Sequence, residues 1–266
     1  MSIEWVLAFL LLGSVVGFIA GLLGVGGGGI LVPVLASVLA YHGIPEHMVM
    51  HVALGTSMAC IVATSFSSAY AHHKHQAVNW PIAGLMATGC IIGTFAATFL
   101  AAQSNAVYLT LFFALFMFYT ALKMLFKGRP KEVIKTGTKT KAVVWSFVVG
   151  AISALVSIGG GSLLVPYLNR QGIKMSEAVG TSAAIGLAIA LAGTLGYLFN
   201  GLGQTSAVAN TFGFVYLPAM VLISMASIIS APFGAKVSHK LPVTLLKKLF
   251  ALLLLALGIK MLWVVI

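Results

Sequence analysis

The sequence predicts an all-α polytopic membrane protein, with about eight hydrophobic segments in two related repeats, each repeat holding a glycine-rich broken or re-entrant helix. Three observations carry that prediction. Of 266 residues, 60% are hydrophobic and 7% charged, where a soluble domain has roughly a quarter charged. About 160 apolar residues, at the roughly 20 that one helix needs to cross a hydrocarbon core, supply about eight crossings. Three short motifs recur in the same order in both halves. Eight spans and their connections consume nearly the whole chain, which leaves no room for a soluble catalytic domain. The net charge of +11 would suggest nucleic acid in a soluble protein, but the basic residues lie in short loops between apolar runs, as cytoplasmic loops do. No nucleic-acid partner is expected.

The first segment follows Met1-Ser2-Ile3-Glu4-Trp5, which has an acid and no Lys or Arg. Val6 to Leu23 is therefore expected to be a retained span and not a cleaved signal peptide. Later polar breaks fall at Tyr41–Met48, His72–Gln76, Gln103–Asn105, Arg170–Lys174, Asn200–Asn210 and Lys236–Pro242, with helix-length apolar runs between them. Cys60 and Cys90 lie inside such runs without a CxxC or His partner spacing, and are expected to be small buried hydrophobes.

The duplication rests on Gly26-Gly27-Gly28-Gly29-Ile30-Leu31-Val32-Pro33, which recurs as Gly159-Gly160-Gly161-Ser162-Leu163-Leu164-Val165-Pro166 at an offset of 133. Gly55-Thr56-Ser57 recurs as Gly180-Thr181-Ser182 at an offset of 125, and Lys123-Met124-Leu125 as Lys260-Met261-Leu262 at 137, an offset that Pro81 and Pro218 share. The units are residues 1–126 and 142–266, joined by a basic linker, 127–141, that the positive-inside rule places in the cytoplasm. Counting spans back from the linker puts Lys74 inside. An inverted second unit puts Lys236, Lys240, Lys247 and Lys248 inside as well and leaves only Lys260 on the opposite side, whereas a parallel unit exposes all four. Inversion needs an odd number of crossings per unit or a re-entrant segment. The 28 residues between Lys141 and Arg170 suit a hairpin turning at the glycines, being too long for one pass and short of two. The competing arrangement is four simple spans per unit in parallel.

The glycine runs carry the functional expectation. Non-helical backbone at membrane depth survives only where protein buries it or it lines a wet cavity. A helix restarting there offers uncapped N–H groups and a partial positive charge, an anion site without a basic side chain. Pro33 and Pro166 suit the first turn of the restarted helix. Gly26, Gly27, Gly28, Gly29, Gly159, Gly160 and Gly161 are thus candidate backbone donors, and Thr56, Ser57, Thr181 and Ser182 candidate hydroxyl donors, facing one another across a pseudo-twofold axis. The competing role for the Gly-Thr-Ser triplets is close helix packing, which is also expected of Gly13, Gly17 and Gly21 and of Gly89 and Gly93. Gly24–Gly29 matches the dinucleotide fingerprint literally, but no strand precedes it and its repeat copy breaks the spacing.

His51 lies near the start of the segment that carries Gly55-Thr56-Ser57 and is a candidate for proton coupling. His72, His73 and His75 beside Lys74 read as a solvated membrane-surface cluster and not as metal ligands. Lys123 and Lys260 are expected to snorkel, and Glu46 and Glu177 to favour the helix starts they precede. No metal and no cofactor is expected.

A span leading into the glycine run and its Pro at Gly24–Pro33 and Ile158–Pro166, then Gly-Thr-Ser at 55–57 and 180–182 and a basic mid-chain linker, resembles the sulfite exporter TauE/SafE family of membrane transporters over essentially the whole chain. The resemblance implies an integral, multi-pass inner-membrane permease for a small anion such as sulfite, an organosulfonate or a related sulfur-containing or carboxylate anion. The alternatives are a passive anion channel and a membrane-embedded metal-binding protein. The lipid bilayer and the small anion are the expected partners; the oligomeric state is not indicated.

Overall fold

The computed structural model describes residues 3–23, 27–126, 139–205, 208–238 and 243–263. Its ten helices are α1 (Ile3–Leu23), α2 (Gly28–Tyr41), α3 (Glu46–Lys74), α4 (Trp80–Gln103), α5 (Ala106–Leu125), α6 (Lys139–Val156), α7 (Gly161–Arg170), α8 (Met175–Gly201), α9 (Leu217–Ser238) and α10 (Val243–Trp263). A two-residue hairpin, β1 (Thr211–Phe212) and β2 (Val215–Tyr216), precedes α9. Eight apolar segments become ten helices because the glycine runs split the first into α1 and α2 and the fifth into α6 and α7. Among the described residues six helices, α1, α3, α4, α5, α8 and α9, contain stretches long and apolar enough to cross a membrane.

Both splits have the same local cause. Gly27 (φ +48°) and Gly160 (φ +72°) cap α2 and α7 in the left-handed region, which is open to glycine and costs other residues about 1–2 kcal/mol. Pro33 and Pro166 are each the sixth residue of the restarted helix, so they sit in the second turn and not the first. Each removes the donor that would have served the carbonyl four residues back, at Gly29 and Ser162. The short helices have 14 and 10 residues. At about 21 and 15 Å, neither can span a core of about 30 Å, so α2 and α7 are the return arms of hairpins.

The third helices of the two halves, α3 and α8, are the most buried spans and run antiparallel. Gly55 on α3 faces Tyr197 on α8, Met58 faces Gly193, and His72 faces Gly180. That is the relation expected of an inverted pair. Around this centre α1 lies along α9, α4 along α6, and α5 against α10. The α1–α9 seam depends on Gly13, Gly17 and Gly21, where any Cβ would collide with the Ile223, Ser227 and Ala231 backbone. The α4–α6 seam depends in the same way on Gly89, Gly93 and Gly150, against Val143, Phe147 and Cys90. Small residues let backbones close up where lipid removes the hydrophobic drive for helices to associate. The outward faces carry exposed Leu7, Leu11, Ile92, Leu100, Leu115, Ile229 and Phe233, as lipid contact requires. Cys60 and Cys90 are buried free thiols on different helices.

The connections place Lys74, Lys123, Lys141, Arg170, Lys174 and Lys248 toward one end of the bundle, the basic end, and Lys260 toward the other. The linker expected to be cytoplasmic falls largely outside the described residues, and the other basic loops gather where its ends enter the bundle.

Candidate functional site

The two hairpins enter from opposite ends, and their tips meet in the middle. A Cβ on Gly28, at the start of α2, would collide with the Ser157 carbonyl at the tip of α6. Ser157 has a positive φ of 47°, and its Oγ donates to the Leu54 carbonyl of α3 at 3.4 Å. Behind it Gly159 packs its carbonyl against Gly186 of α8, too closely to admit a Cβ there. The N–H groups of Gly28 and Gly29 and those of Gly161 and Ser162 have no acceptor among the described residues, as the first turn of an uncapped helix leaves them.

One of these two helix starts borders a cavity of about 440 Å³ in the half of the bundle nearest the basic end. Gly159 and Gly161 line it beside Ser182 and Ala183 of α8, Ala20 and Gly21 of α1, and Ile228, Ala231 and Pro232 of α9. The remaining wall is the C-terminal half of α3, which contributes Thr64, Ser65, Ser67, Ser68 and His72. Among the described residues no acid lines the cavity, and His72 is the one titratable side chain that does. The side-chain hydroxyls of Ser65, Ser67 and Ser68 form no hydrogen bond among the described residues, while those of Thr64 and Ser182 donate back to the Ile61 and Val179 carbonyls of their own helices, both at 3.1 Å. Such hydroxyls rotate, and exchange a local bond for a ligand without moving the backbone. Uncapped amides, free hydroxyls and the positive end of α7 form a surface that accepts negative charge.

The structure brings Gly159, Gly161 and Ser182 into this cavity, with Gly160 between the two glycines as the cap of α7. Gly27, Gly28, Gly29 and Ser57 are buried and are not among the residues that line the cavity. Gly26 lies outside the described residues. The hydroxyls of Thr56 and Thr181 each accept a backbone N–H. Thr56 Oγ1 accepts the Tyr216 N–H at 2.9 Å and Thr181 Oγ1 accepts the Asn79 N–H at 3.0 Å. Each threonine thereby holds the residue that leads into the fourth helix of the opposite half, α9 or α4. Asn79 also caps α4 through Ile82 N–H and donates to Glu177 Oε1 at 2.7 Å, so Glu177 ties α8 to α4 as well as favouring its own helix start.

His51 is likewise occupied. Its Nε2 lies 3.0 Å from the Ala101 carbonyl and 3.1 Å from that of Ser104, at the C-terminal end of α4, and its ring packs on Phe214 at 5.1 Å. It closes a helix C-terminus at the end away from the cavity. At that same end His42 Nε2 lies 2.8 Å from the Tyr216 hydroxyl, whose phenol pKa burial raises above its ordinary value. The histidine cluster divides: His72 faces the cavity, while His73 Nδ1 accepts from Trp80 Nε1 at 3.3 Å. Among the described residues no three His, Cys, Asp or Glu side chains are placed to hold a metal ion.

The hydroxyls from Thr64 to Ser68 and the position of His72 escaped the sequence reading. The signal available was a Thr-Ser-Phe-Ser-Ser run inside an apolar span, which is costly unless it faces protein or water.

With this geometry in place, the family model described as sulfite exporter TauE/SafE matches residues 9–261. The chain belongs to the sulfite exporter TauE/SafE family. It is 34% identical over 258 residues to a "probable membrane transporter protein" of Haemophilus influenzae, covering 97% of this chain and 98% of that one. A Methanocaldococcus jannaschii protein of the same description is 24% identical, covering 95% and 94% of the two chains. One from Bacillus subtilis is 27% identical, covering 91% and 92%. No solved structure matches significantly. As a TauE/SafE protein the chain is a multi-pass membrane transporter.

Proposed function

We propose that the cavity at the α7 break is the substrate site, and that the transporter carries a small oxyanion, sulfite or an organosulfonate foremost, with related sulfur-containing or carboxylate anions sharing the same chemistry. The observation that carries this reading is the lining itself: the uncapped start of α7 at Gly159–Gly161, with Ser182 and the α3 hydroxyls around it and no carboxylate among the described residues. The family description points to the same substrate class. The volume of about 440 Å³ lies in the range of small-molecule sites, about 300–1,000 Å³, which admits an oxyanion with a short organic tail or with water.

In this reading residues 1–126 and 142–266 are inverted repeats, the basic end with the 127–141 linker faces the cytoplasm of an inner membrane, and the two halves move against each other to expose the site alternately. A negative interior then favours outward movement of the anion. A passive channel would need both ends open together, whereas the cavity belongs to one end.

The experiment is sulfite counterflow in proteoliposomes containing the full chain. The expected result is saturable exchange that Ser65→Ala with Ser182→Ala weakens through the half-saturation concentration. Flux that rises linearly with sulfite and ignores both substitutions would refute a binding site here.

A further inference from the structure

The internal symmetry fixes what stands where this cavity would be at the opposite end. A Cβ on Gly180 would collide with the Ala77 carbonyl and crowd His72 Cβ, and one on Gly55 would collide with the Phe214 carbonyl and crowd Tyr197 Cβ. Thr181 holds Asn79 and Thr56 holds Tyr216. Every partner in these contacts is displaced by the motif offsets, 125 within α3 and α8 and 137 for the residues leading into α4 and α9. By the same offsets, with 133 between α1 and α6, His72 corresponds to Tyr197, Gly21 to Ala154, Ala20 to Ser153 and Ser182 to Ser57.

The two ends differ at those positions. At the basic end His72 and Gly21 line open space. At the opposite end Tyr197 is fully buried, and its hydroxyl donates to the Ala154 carbonyl at 3.0 Å, which bridges α8 to α6 across the corresponding gap. Ser57 and Ser153, at the corresponding positions, are fully buried, and among the described residues their hydroxyls have no partner. Burying an unpaired hydroxyl costs free energy, and two at the mirror positions of cavity-lining residues point to a conformation in which they are wet.

We infer that Ser57 and Ser153 form a second, closed half of the anion site, and that Tyr197 is the gate that shuts it, opening when its bond to the Ala154 carbonyl breaks. The inference rests on the proposed reading of the cavity as the substrate site. The short His72 side chain leaves its own end open, while the longer Tyr197 reaches across, so the resting protein is open toward the basic end. The β1–β2 turn over the same end, with Phe214 N–H donating to the Tyr197 carbonyl at 3.1 Å, moves with the gate.

Cysteine reactivity tests this in the full chain in lipid nanodiscs, where both faces are accessible. A charged methanethiosulfonate reagent is applied to Ser57→Cys and, separately, to Ser182→Cys, and labelling is read site by site by mass spectrometry so that buried Cys60 and Cys90 are kept. Ser182→Cys should react readily. Ser57→Cys should react slowly with Tyr197 present and about tenfold faster with Tyr197→Phe, which keeps the ring and removes one hydrogen bond. Tyr197→Ala should raise the rate further. If Ser182→Cys reacts and neither Tyr197 variant accelerates Ser57→Cys, the gate is wrong and the cavity reading survives. If Ser182→Cys is unreactive, the cavity reading falls and the gate falls with it.

Discussion

Thr56→Val removes one acceptor atom and almost nothing else, since valine has the shape of threonine. In the structure that atom takes the N–H of Tyr216, and both residues are sealed from solvent, with Thr56 at 0% and Tyr216 at 2% exposure. The substitution therefore strands a buried donor, at a cost of about 1–3 kcal/mol. Thr181→Val strands the N–H of Asn79, which is only partly buried and regains water, so its cost should be about 0.5–1.5 kcal/mol. The two sites lie toward opposite ends of the bundle, and their effects should add. Thermal unfolding in detergent should rank wild type above Thr181→Val, Thr181→Val above Thr56→Val, and the double variant lowest. The protein that remains folded should bind sulfite with unchanged half-saturation. Unaltered unfolding with a half-saturation raised tenfold would show that the hydroxyls touch substrate, and would overturn the anchoring role.

Three further outcomes follow from the same geometry. Ser65→Ala combined with Ser182→Ala removes two cavity hydroxyls and should raise the half-saturation for sulfite by about tenfold with little change in melting temperature. Gly160→Ala forces a Cβ into a left-handed cap, 2.8 Å from Ile189 Cδ1, and should lower stability by about 1–2 kcal/mol and transport along with it, measured by melting and by counterflow. His51→Gln should lower the melting temperature by loosening the end of α4 and leave the pH profile of transport unmoved; a flattened profile would restore the histidine to a proton-coupling role.

The glycine breaks were legible because a run of four glycines inside an apolar segment has few other uses, and their recurrence at a fixed offset marked the pair. The packing glycines were legible for a similar reason, the spacing of four at Gly13, Gly17 and Gly21. The triplet threonines were not, because their partners, Tyr216 and Asn79, lie 160 and 102 residues away and nothing local announces a backbone N–H in need of an acceptor. The cavity wall was hidden for a different reason. Sequence shows that Thr64, Ser65, Ser67 and Ser68 are polar, but which face of α3 meets α1 and α9 is decided by the inverted packing of the halves. The prolines were misplaced by one turn because a left-handed glycine starts the helix earlier than a proline alone would suggest.

The central claim is that this cavity holds a small anion. Its most direct measurement is a melting-temperature titration of the full chain with sulfite, thiosulfate, a short sulfonate and a short carboxylate, against choline and glycerol as size controls, in the wild type and in the Ser65→Ala, Ser182→Ala variant. A ligand of the folded state at about 100 times its dissociation constant stabilises by about 2.7 kcal/mol. At least one anion should therefore raise the wild-type melting temperature in a saturable way, with the titration shifted to higher concentration in the variant and no response to choline or glycerol. An equal response in the variant, or a response to choline and none to any anion, would contradict the account.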